Sequence, residues 1–326
     1  RRRSKGARGG VRADRLCTMK VVCIGAGAIG GYFGGVLAEA GHEVSFVARG
    51  KTLAALRQRG VLLSRGDEPA RAVRVHAAEH AGEAADLMGG PDIVVVATKA
   101  LPDNPTFADL ADARQLGGVP IVTTQNSVEI HDTAARIFGA DRVLAGVARC
   151  YATRVGPAKI VLNPGPLALS FGPVAGASIS ETARAFRAAL DEAGIGGELY
   201  APGDVLTDVW SKAMFVTTTG ALGAVAGVPM GVLRDALRPQ LRALMKEVEA
   251  AARGLGVRLP ADAVSQTLAF ADQQYAGATS SMQRDIADGL PSELDAQVGA
   301  IRRQAAAAGV PTPLLDYTYA VLAVRA

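Results

Sequence analysis

The stretch from Met19 to Gly35 constrains the fold of this chain more than any other. It begins with Lys20–Ile24, a short apolar and β-branched run that is typical of a buried parallel strand. A G-x-G-x-x-G motif follows, and the chain then enters a helical pattern over Ile29–Ala40. In such a motif one glycine permits a tight turn, one lets the backbone approach a pyrophosphate, and one lets helix and strand pack closely. A strand, a glycine motif and a helix in this order predict a dinucleotide site, with phosphates on the N–H groups that open the helix.

The residue after the second predicted strand decides which nucleotide is favoured. His42–Ala48 is that strand, and Arg49 follows it directly, with Lys51 close by. A carboxylate about 20 residues past the glycines would bind an adenosine ribose hydroxyl, whereas a guanidinium suits a 2′-phosphate. The position therefore predicts NADPH in preference to NADH. The alternative is a solvated arginine at a helix start, where a cation is slightly unfavourable.

The hydrophobic pattern changes at Pro202, and 326 residues are enough for two domains. Before Pro202, buried strands alternate with helices, as in a doubly wound α/β fold. After it, the periodicity is helical. We therefore predict a Rossmann-type α/β domain over 19–202 and an all-α domain over 203–326.

Two local predictions concern the irregular parts of this pattern. Lys159–Gly172 reads as short extended segments of an antiparallel hairpin at the sheet edge, with Asn163-Pro164-Gly165 as the turn. In the second half, Gly231–Gly254 reads as one long helix.

The positive charge of the chain is concentrated at its beginning. Residues 1–18 carry seven Lys or Arg and one acid, and subtracting this +6 from the overall +4 leaves −2 for residues 19–326. A mildly acidic body gives little support to nucleic-acid binding. Residues 1–18 show no periodicity and no apolar core of a secretory signal, so we expect a disordered leader that is upstream or added sequence.

Three further features of the sequence bear on metal binding and on where in the cell the protein resides. Three widely spaced cysteines suit reduced thiols in the cytoplasm, and the four histidines form no metal-ligand pattern, so no metal is predicted. Ala213–Leu233 is uncharged and long enough to span a bilayer. Because it is rich in Thr and Gly and contains Pro229, we predict a buried helical segment and no membrane association.

Polar side chains follow two of the predicted strands. Lys99 comes after the strand Asp92–Ala97, and Asn126 comes after Val119–Thr123. Ligands bind at the carboxyl ends of the strands in a doubly wound sheet. Lys99 can meet a phosphate, a carboxylate or only water, and Asn126 can contact a carbonyl or simply cap the next helix.

The helical half offers an ammonium and an acid. Lys212 is the last charge before twenty-one uncharged residues, so we expect it at the mouth of an apolar bundle. Burial there would lower its pKa and make it a proton donor near neutral pH, unless its stem only reaches along the surface to water. Glu293 follows Pro291 and Ser292, and a helix cap would account for it without any function.

Taken together, the motifs resemble the ketopantoate reductases. The order of this family runs from the glycine motif through an arginine after strand two, T-K-A, Q-N-G and W-x-K to S-S-M-x-x-D and a later E-x-D. The matching segments here begin at Thr98, Gln125, Trp210, Ser280 and Glu293, so the resemblance covers nearly all of residues 19–326.

The resemblance implies a function and a set of site residues. The implied reaction is the NADPH-dependent reduction of ketopantoate (2-dehydropantoate), a 2-oxo acid, to pantoate in pantothenate biosynthesis. The implied fold is a Rossmann domain followed by a helical domain of the 6-phosphogluconate dehydrogenase type, with a homodimer expected by analogy. The implied roles are the following: Lys212 as general acid, Glu293 contacting the substrate hydroxyl or orienting Lys212, Ser281 binding the substrate carboxylate, Lys99 and Asn126 lining the cofactor–substrate cleft, and Gly25, Ala26, Gly27, Ala28, Ile29, Gly30 and Arg49 holding the cofactor.

The chain departs from the family pattern on the helix of the general acid. Family members often carry Asn four and eight residues after this lysine, where the present chain has Val216 and Gly220. Both positions share a helix face with Lys212. Ser127 likewise replaces the glycine of Q-N-G. Two alternatives therefore stay open: a reductase of a different 2-oxo acid, and an NADP-binding sensor without turnover.

Overall fold

A computed structural model of the chain describes residues 18–174, 176 and 178–325. The predicted leader, Thr18 excepted, therefore lies outside the described residues. Nine strands in the described ranges form one sheet in the order β4-β3-β9-β8-β7-β6-β1-β2-β5. The strands are β1 Lys20–Ile24, β2 Glu43–Val47, β3 Val61–Arg65, β4 Arg71–Val73, β5 His76–Ala78, β6 Ile93–Val96, β7 Ile121–Thr123, β8 Val143–Gly156 and β9 Lys159–Pro173.

Six of these strands form the dinucleotide-binding part of the sheet. The order β5-β2-β1-β6-β7-β8 is parallel throughout and reverses direction of winding between β1 and β6. This is the strand order of a Rossmann fold, in which ligands bind at that reversal. The predicted fold class is confirmed.

The other three strands extend the sheet and curl it around the first helix, α1 (Ala28–Glu39). Besides its own β1 and β2, α1 touches β8, β9, β3 and β4. A Cβ on Gly34 would lie 2.6 Å from Phe46 Cζ, and one on Gly35 would lie 2.8 Å from Leu63 Cδ1. Real Cβ atoms are not found so close, so these glycines let a helix fit inside a curled sheet. The small residues of α1 thus have a packing role beyond the glycine motif.

The structure corrects the prediction for residues 159–172. The β8–β9 hairpin turns after Gly156, where Ala158 takes φ +52°, and β9 is an interior strand that pairs with β8 and with β3. The predicted turn Asn163-Pro164-Gly165 lies inside β9, where the register with β8 shifts between Cys150 and Ala152. Proline and glycine are tolerated in a strand at such an irregularity, because ladder hydrogen bonds are already interrupted there. The turn residues thus correctly indicated an interruption of the strand, but the chain does not reverse its direction there.

The helices of the first half alternate with its strands. They are α2 Gly50–Arg59, α3 Ala81–Asp86, α4 Thr106–Asp112, α5 Ile130–Phe138 and α6 Glu181–Glu192. The helices of the second half are α7 Val205–Ala226, α8 Met230–Arg234, α9 Arg238–Gly254, α10 Ala263–Asp272, α11 Ser281–Ala287, α12 Ala300–Ala307 and α13 Pro313–Ala323. A π-helical turn, Asp295–Gly299, precedes α12 directly.

The single helix predicted over Gly231–Gly254 is wrong, because the structure divides it into α8 and α9. Pro239 lies in the first turn of α9. Proline has no N–H to donate and its ring crowds the preceding turn, so a helix starts at this residue more readily than it continues through it.

The two halves share a hydrophobic core at α7. Ala145 and Val147 of β8 pack in one cluster with Val209 and Met214 of α7. Helix α7 packs against β8 and β9. No helix in the described ranges is long and apolar enough to cross a membrane. The division at Pro202 stays a prediction.

Candidate active site

The glycine turn between β1 and α1 has an open backbone. Gly25 takes φ +98°, which favours glycine, and a Cβ on Gly30 would collide with Gly25 O and lie 2.9 Å from Ala97 Cβ. By contrast, a Cβ on Gly27 would meet nothing within 4 Å. Within the described part of the chain no side chain caps the start of α1. The turn, including Ala26, Ala28 and Ile29, can therefore receive a phosphate group on unoccupied backbone N–H groups.

Arg49 follows β2 and occupies the N-cap position of α2, where it is exposed. Its neighbour Gly50 has φ +53° and opens the helix. An exposed guanidinium beside the carboxyl end of β2 is available to a group that lies across the glycine turn.

Lys99 is held in an ion pair that joins the two halves of the molecule. Its Nζ lies 2.7 Å from Oδ2 of Asp285 on α11, and the Lys99 side chain is 47% exposed. The predicted cleft residue is therefore present at the carboxyl end of β6. Its ammonium has three donors, so Lys99 can bind a ligand while it keeps its contact with Asp285.

Glu293 is buried at the same edge of the sheet, with 6% of its surface exposed. Its Oε1 accepts a hydrogen bond of 2.9 Å from the backbone N–H of Ala100, which follows β6. Burial raises the pKa of this carboxyl, and the Ala100 N–H and the charge of Lys212 oppose the rise. The capping interpretation is wrong, since the carboxylate reaches a residue 193 positions away. Glu293 is thus fixed against the end of β6 by the helical half.

Lys212 is partly buried on α7 and lines a narrow cleft together with Asn126. Burial and, to a lesser degree, the positive charge of Arg149 lower the pKa of its ammonium to about 8, while the negative charges of Glu293 and Asp208 act in the opposite direction. Asp208 lies one helical turn before Lys212 and is held by Arg149 through two hydrogen bonds of 2.6 and 2.9 Å. A lysine with such a pKa is an effective proton donor near neutral pH.

Asn126 faces the cleft and does not cap α5. The N-cap residue of α5 is Glu129, whose N–H donates to Ser127 Oγ at 3.2 Å. The capping alternative for Asn126 is therefore wrong. The structure brings Asn126, Lys212 and Glu293 together at the carboxyl ends of β6 and β7, although they lie far apart in the sequence.

The structure does not bring Ser281 into this group. Ser281 is exposed in the first turn of α11, and its neighbour Ser280 is the N-cap, accepting from the Gln283 N–H at 3.0 Å. Ser280 also packs on α7, since a Cβ on Gly220 would lie 2.7 Å from its Oγ. The absence of a side chain at position 220 thus has a packing reason. A role for Ser281 in binding the substrate carboxylate stays a prediction.

Five polar residues of the cleft were given no role from the sequence. They are Thr123, Gln125, His131, Thr217 and Gln297, and they line the cleft together with Asn126 and Lys212. Gln297 belongs to the π-helical turn, and its Nε2 donates to Glu293 Oε2 at 3.4 Å. Such turns occur often at functional sites, but the sequence carries no clear signal for one. Only the position of Thr123 and Gln125 at the end of a buried strand could have indicated them.

Comparison with known proteins identifies the family of this chain. The family model described as "Ketopantoate reductase PanE/ApbA" matches residues 21–176, and its C-terminal counterpart matches residues 204–326. A 2-dehydropantoate 2-reductase of Mesorhizobium japonicum is 30% identical, over 93% of this chain and 97% of its own length.

Solved structures show the same fold. A ketopantoate reductase of the PanE/ApbA family from Ralstonia eutropha superposes with a TM-score of 0.82 at 28% identity, covering 94% of this chain and 98% of its own. A D-mandelate dehydrogenase solved with NADH and anilino(oxo)acetate superposes with a TM-score of 0.81 at 18% identity, covering 94% and 98%. The likeness to the latter extends to the fold alone. From its family models and its curated relative, this chain belongs to the ketopantoate reductase family of oxidoreductases, which confirms the resemblance of its motifs.

Proposed function

We propose that this protein reduces ketopantoate to pantoate with NADPH as the reductant. The observation that carries the proposal is the convergence of Lys212, Asn126 and Glu293 at the carboxyl ends of β6 and β7. A cleft next to the strand ends of a Rossmann sheet, with a proton donor of lowered pKa, suits the reduction of a carbonyl group.

The residues present fit a phosphorylated dinucleotide. The open space at Gly27 and the uncapped start of α1 would receive the pyrophosphate, and Arg49 would meet the 2′-phosphate. When bound, the nicotinamide supplies a hydride to the carbonyl carbon of the substrate.

The side chains of the cleft would then manage charge and protons. Lys212 donates a proton to the carbonyl oxygen as negative charge develops there, so that no free alkoxide has to form in a partly buried site. Glu293 is anchored to the Ala100 N–H and attracts the Lys212 ammonium, which keeps the proton donor charged and oriented. The amide of Asn126 can hold the carbonyl oxygen or the nicotinamide carboxamide.

The test is NADPH oxidation followed by absorbance, with ketopantoate set beside simpler 2-oxo acids such as pyruvate. We expect turnover to be fastest with ketopantoate. Turnover with another 2-oxo acid but not with ketopantoate would reject the substrate, and NADPH binding without turnover on any of them would favour the sensor.

A reductase of a different branched 2-oxo acid is the second candidate. Val216 lines the cleft on α7, and the Gly220 position is filled by Ser280, so two carboxamides of the family pattern are absent from this wall. Because a carboxamide can discriminate hydroxylated from plain acyl groups, their loss favours a change of substrate.

A cytoplasmic location and a homodimer stay predictions.

A further inference from the structure

The peptide group between Lys99 and Ala100, here called the 99–100 peptide, is held from both sides. Its N–H, which belongs to Ala100, donates to Glu293 Oε1 at 2.9 Å. Its carbonyl oxygen, which belongs to Lys99, accepts from Asn104 Nδ2 at 2.6 Å and from the Leu101 N–H at 3.0 Å. The N–H and the carbonyl of a trans peptide point in opposite directions, so rotation of the group would break all three hydrogen bonds.

The orientation of the Asn104 side chain follows from its own contacts. Its Oδ1 accepts from the Thr106 N–H at 3.0 Å and from Thr106 Oγ1 at 2.6 Å. A backbone N–H can only donate, so the amide oxygen has to face Thr106 and the amide nitrogen has to face Lys99. The side chain therefore links the start of α4 to the 99–100 peptide in one orientation only.

A helix cap accounts for half of these contacts. Asn often accepts from the N–H two residues further on, and the bond from the Thr106 N–H is of this kind. Ser or Asp would cap the helix equally well. Neither can also donate to a carbonyl from the same position as an amide nitrogen does, so the bond to Lys99 explains why a carboxamide is present at Asn104.

The N–H of the 99–100 peptide has a large effect on the charge of Glu293. Burial raises the pKa of this carboxyl, and the Ala100 N–H opposes the rise more strongly than the positive charges of Lys212 and Lys99 do. Lys99 is itself paired with Asp285 of α11. Two neutral amides also face the carboxyl, those of Asn126 and Gln297. A hydrogen bond to the ionised form favours that form, so the direction of one N–H bears on whether Glu293 is charged.

We propose that Asn104 is a positioning residue of the active site that acts on Glu293 through the 99–100 peptide. By binding the carbonyl, Asn104 keeps the N–H directed at the carboxylate, and by polarising the peptide group it strengthens that bond. The ionised Glu293 in turn attracts the Lys212 ammonium. The inference rests on the proposed reductase function and adds to it a residue that does not line the cleft.

The test compares two variants that remove different parts of this network. Asn104→Ser keeps an oxygen that can cap α4 but is too short to reach the carbonyl of Lys99. We expect it to lower kcat by about 3- to 10-fold near neutral pH, the loss that corresponds to one ordinary hydrogen bond. Thr106→Val is the matched control, because it removes the hydroxyl bonds to Asn104 and Thr98 and leaves the bond to Lys99 in place. The control should keep kcat unchanged.

The pH profile of kcat separates positioning from a loss of structure. With a weaker N–H bond the pKa of Glu293 rises further, so the carboxyl takes up its proton at a higher pH. The acid limb of Asn104→Ser should therefore move to higher pH, while the alkaline limb, which Lys212 sets, stays in place. An acid limb at the wild-type position, even with a lowered kcat, would leave Asn104 as a helix cap and overturn the inference. The same shift in Thr106→Val would also overturn it.

A second measurement needs no turnover. The amide resonance of Ala100, followed by NMR of the full chain, should shift as Glu293 titrates, and Glu293→Gln should abolish this response. The midpoint should lie at higher pH in Asn104→Ser than in the wild type, and equal midpoints would contradict the inference. A wild-type resonance that does not respond to pH would contradict it as well, even if Asn104→Ser folds poorly. If the wild type reduces no 2-oxo acid, the proposed function fails, and this titration alone decides whether Asn104 governs the charge of Glu293.

Discussion

The wall at the glycine turn between β1 and α1 is formed by backbone, whereas the wall around Lys212 is formed by side chains from β8, α7 and the π-helical turn. The first depends on a few adjacent residues and stands open to a ligand at Gly27. The second depends on contacts between distant residues, such as the bond from the Ala100 N–H to Glu293. A single added methyl group is therefore enough to block ligand binding at the glycine turn. Around Lys212, by contrast, the function changes only when a charge or a hydrogen bond is changed.

The largest expected effect is on the side-chain wall. Lys212→Ala should lower kcat by about 10²- to 10⁴-fold, because the developing alkoxide loses its proton donor. NADPH affinity should hardly change, since the glycine turn lies on the other wall. Steady-state kinetics and fluorescence titration measure the two quantities, and Lys246→Ala on the exposed face of α9 is the matched control. Unaltered turnover would remove Lys212 from the mechanism.

Arg49→Ala should separate the two nicotinamide cofactors. Losing a charge-assisted bond to the 2′-phosphate should weaken NADPH binding by about 10- to 100-fold and leave NADH binding nearly unchanged. Calorimetric titration with each cofactor measures this. Equal weakening of both would argue for a structural role of Arg49 at the start of α2.

Two glycines of the turn allow packing and ligand access to be told apart. Gly27→Ala places a methyl group in open space, so the melting temperature should stay the same while NADPH affinity falls by about 10-fold or more. Gly30→Ala should lower both the melting temperature and the NADPH affinity. The methyl group collides with Gly25 O, so the helix has to move, and the resulting strain costs about 1–3 kcal/mol of stability. Unchanged NADPH affinity in Gly27→Ala would show that the pyrophosphate does not pass over this residue.

The smallest expected effect is on the pH profile. A proton donor has to be protonated, so kcat should fall as the pH rises through about 8, the pKa to which burial lowers Lys212, and not near 10.5. Arg149→Met removes a positive charge and should move this limb up by about one unit, whereas Asp208→Asn removes a negative charge and should move it down. Two shifts in the same direction would show that neither charge acts directly on Lys212.

The difference between the walls also explains what the sequence could predict. The strand, turn and helix around Gly25 depend on adjacent residues, so local pattern was sufficient for them. The turn at Asn163-Pro164-Gly165 was misplaced because pairing with β3 and β8 overrides local preference. Gln297 could not be found at all, because its place in the cleft beside Glu293 depends on a π-helical turn.

The two adjacent serines Ser280 and Ser281 show the same limit of prediction from sequence. The resemblance implied a substrate-binding role for Ser281, but which serine of the S-S pair faces α7 depends on the start of α11. Ser280 takes the cap and packs against Gly220, which leaves Ser281 exposed. Helix boundaries are uncertain by one or two residues from sequence, and here one residue exchanges the two side chains.

The central claim is that the two walls cooperate to move a hydride to a 2-oxo acid. The most direct measurement supplies NADPH dideuterated at C4 with ketopantoate and determines the product by mass spectrometry. The account predicts pantoate with one deuterium at C2, formed in a 1:1 ratio to the NADPH consumed. Bound but unconsumed NADPH, with ketopantoate recovered intact, would contradict it.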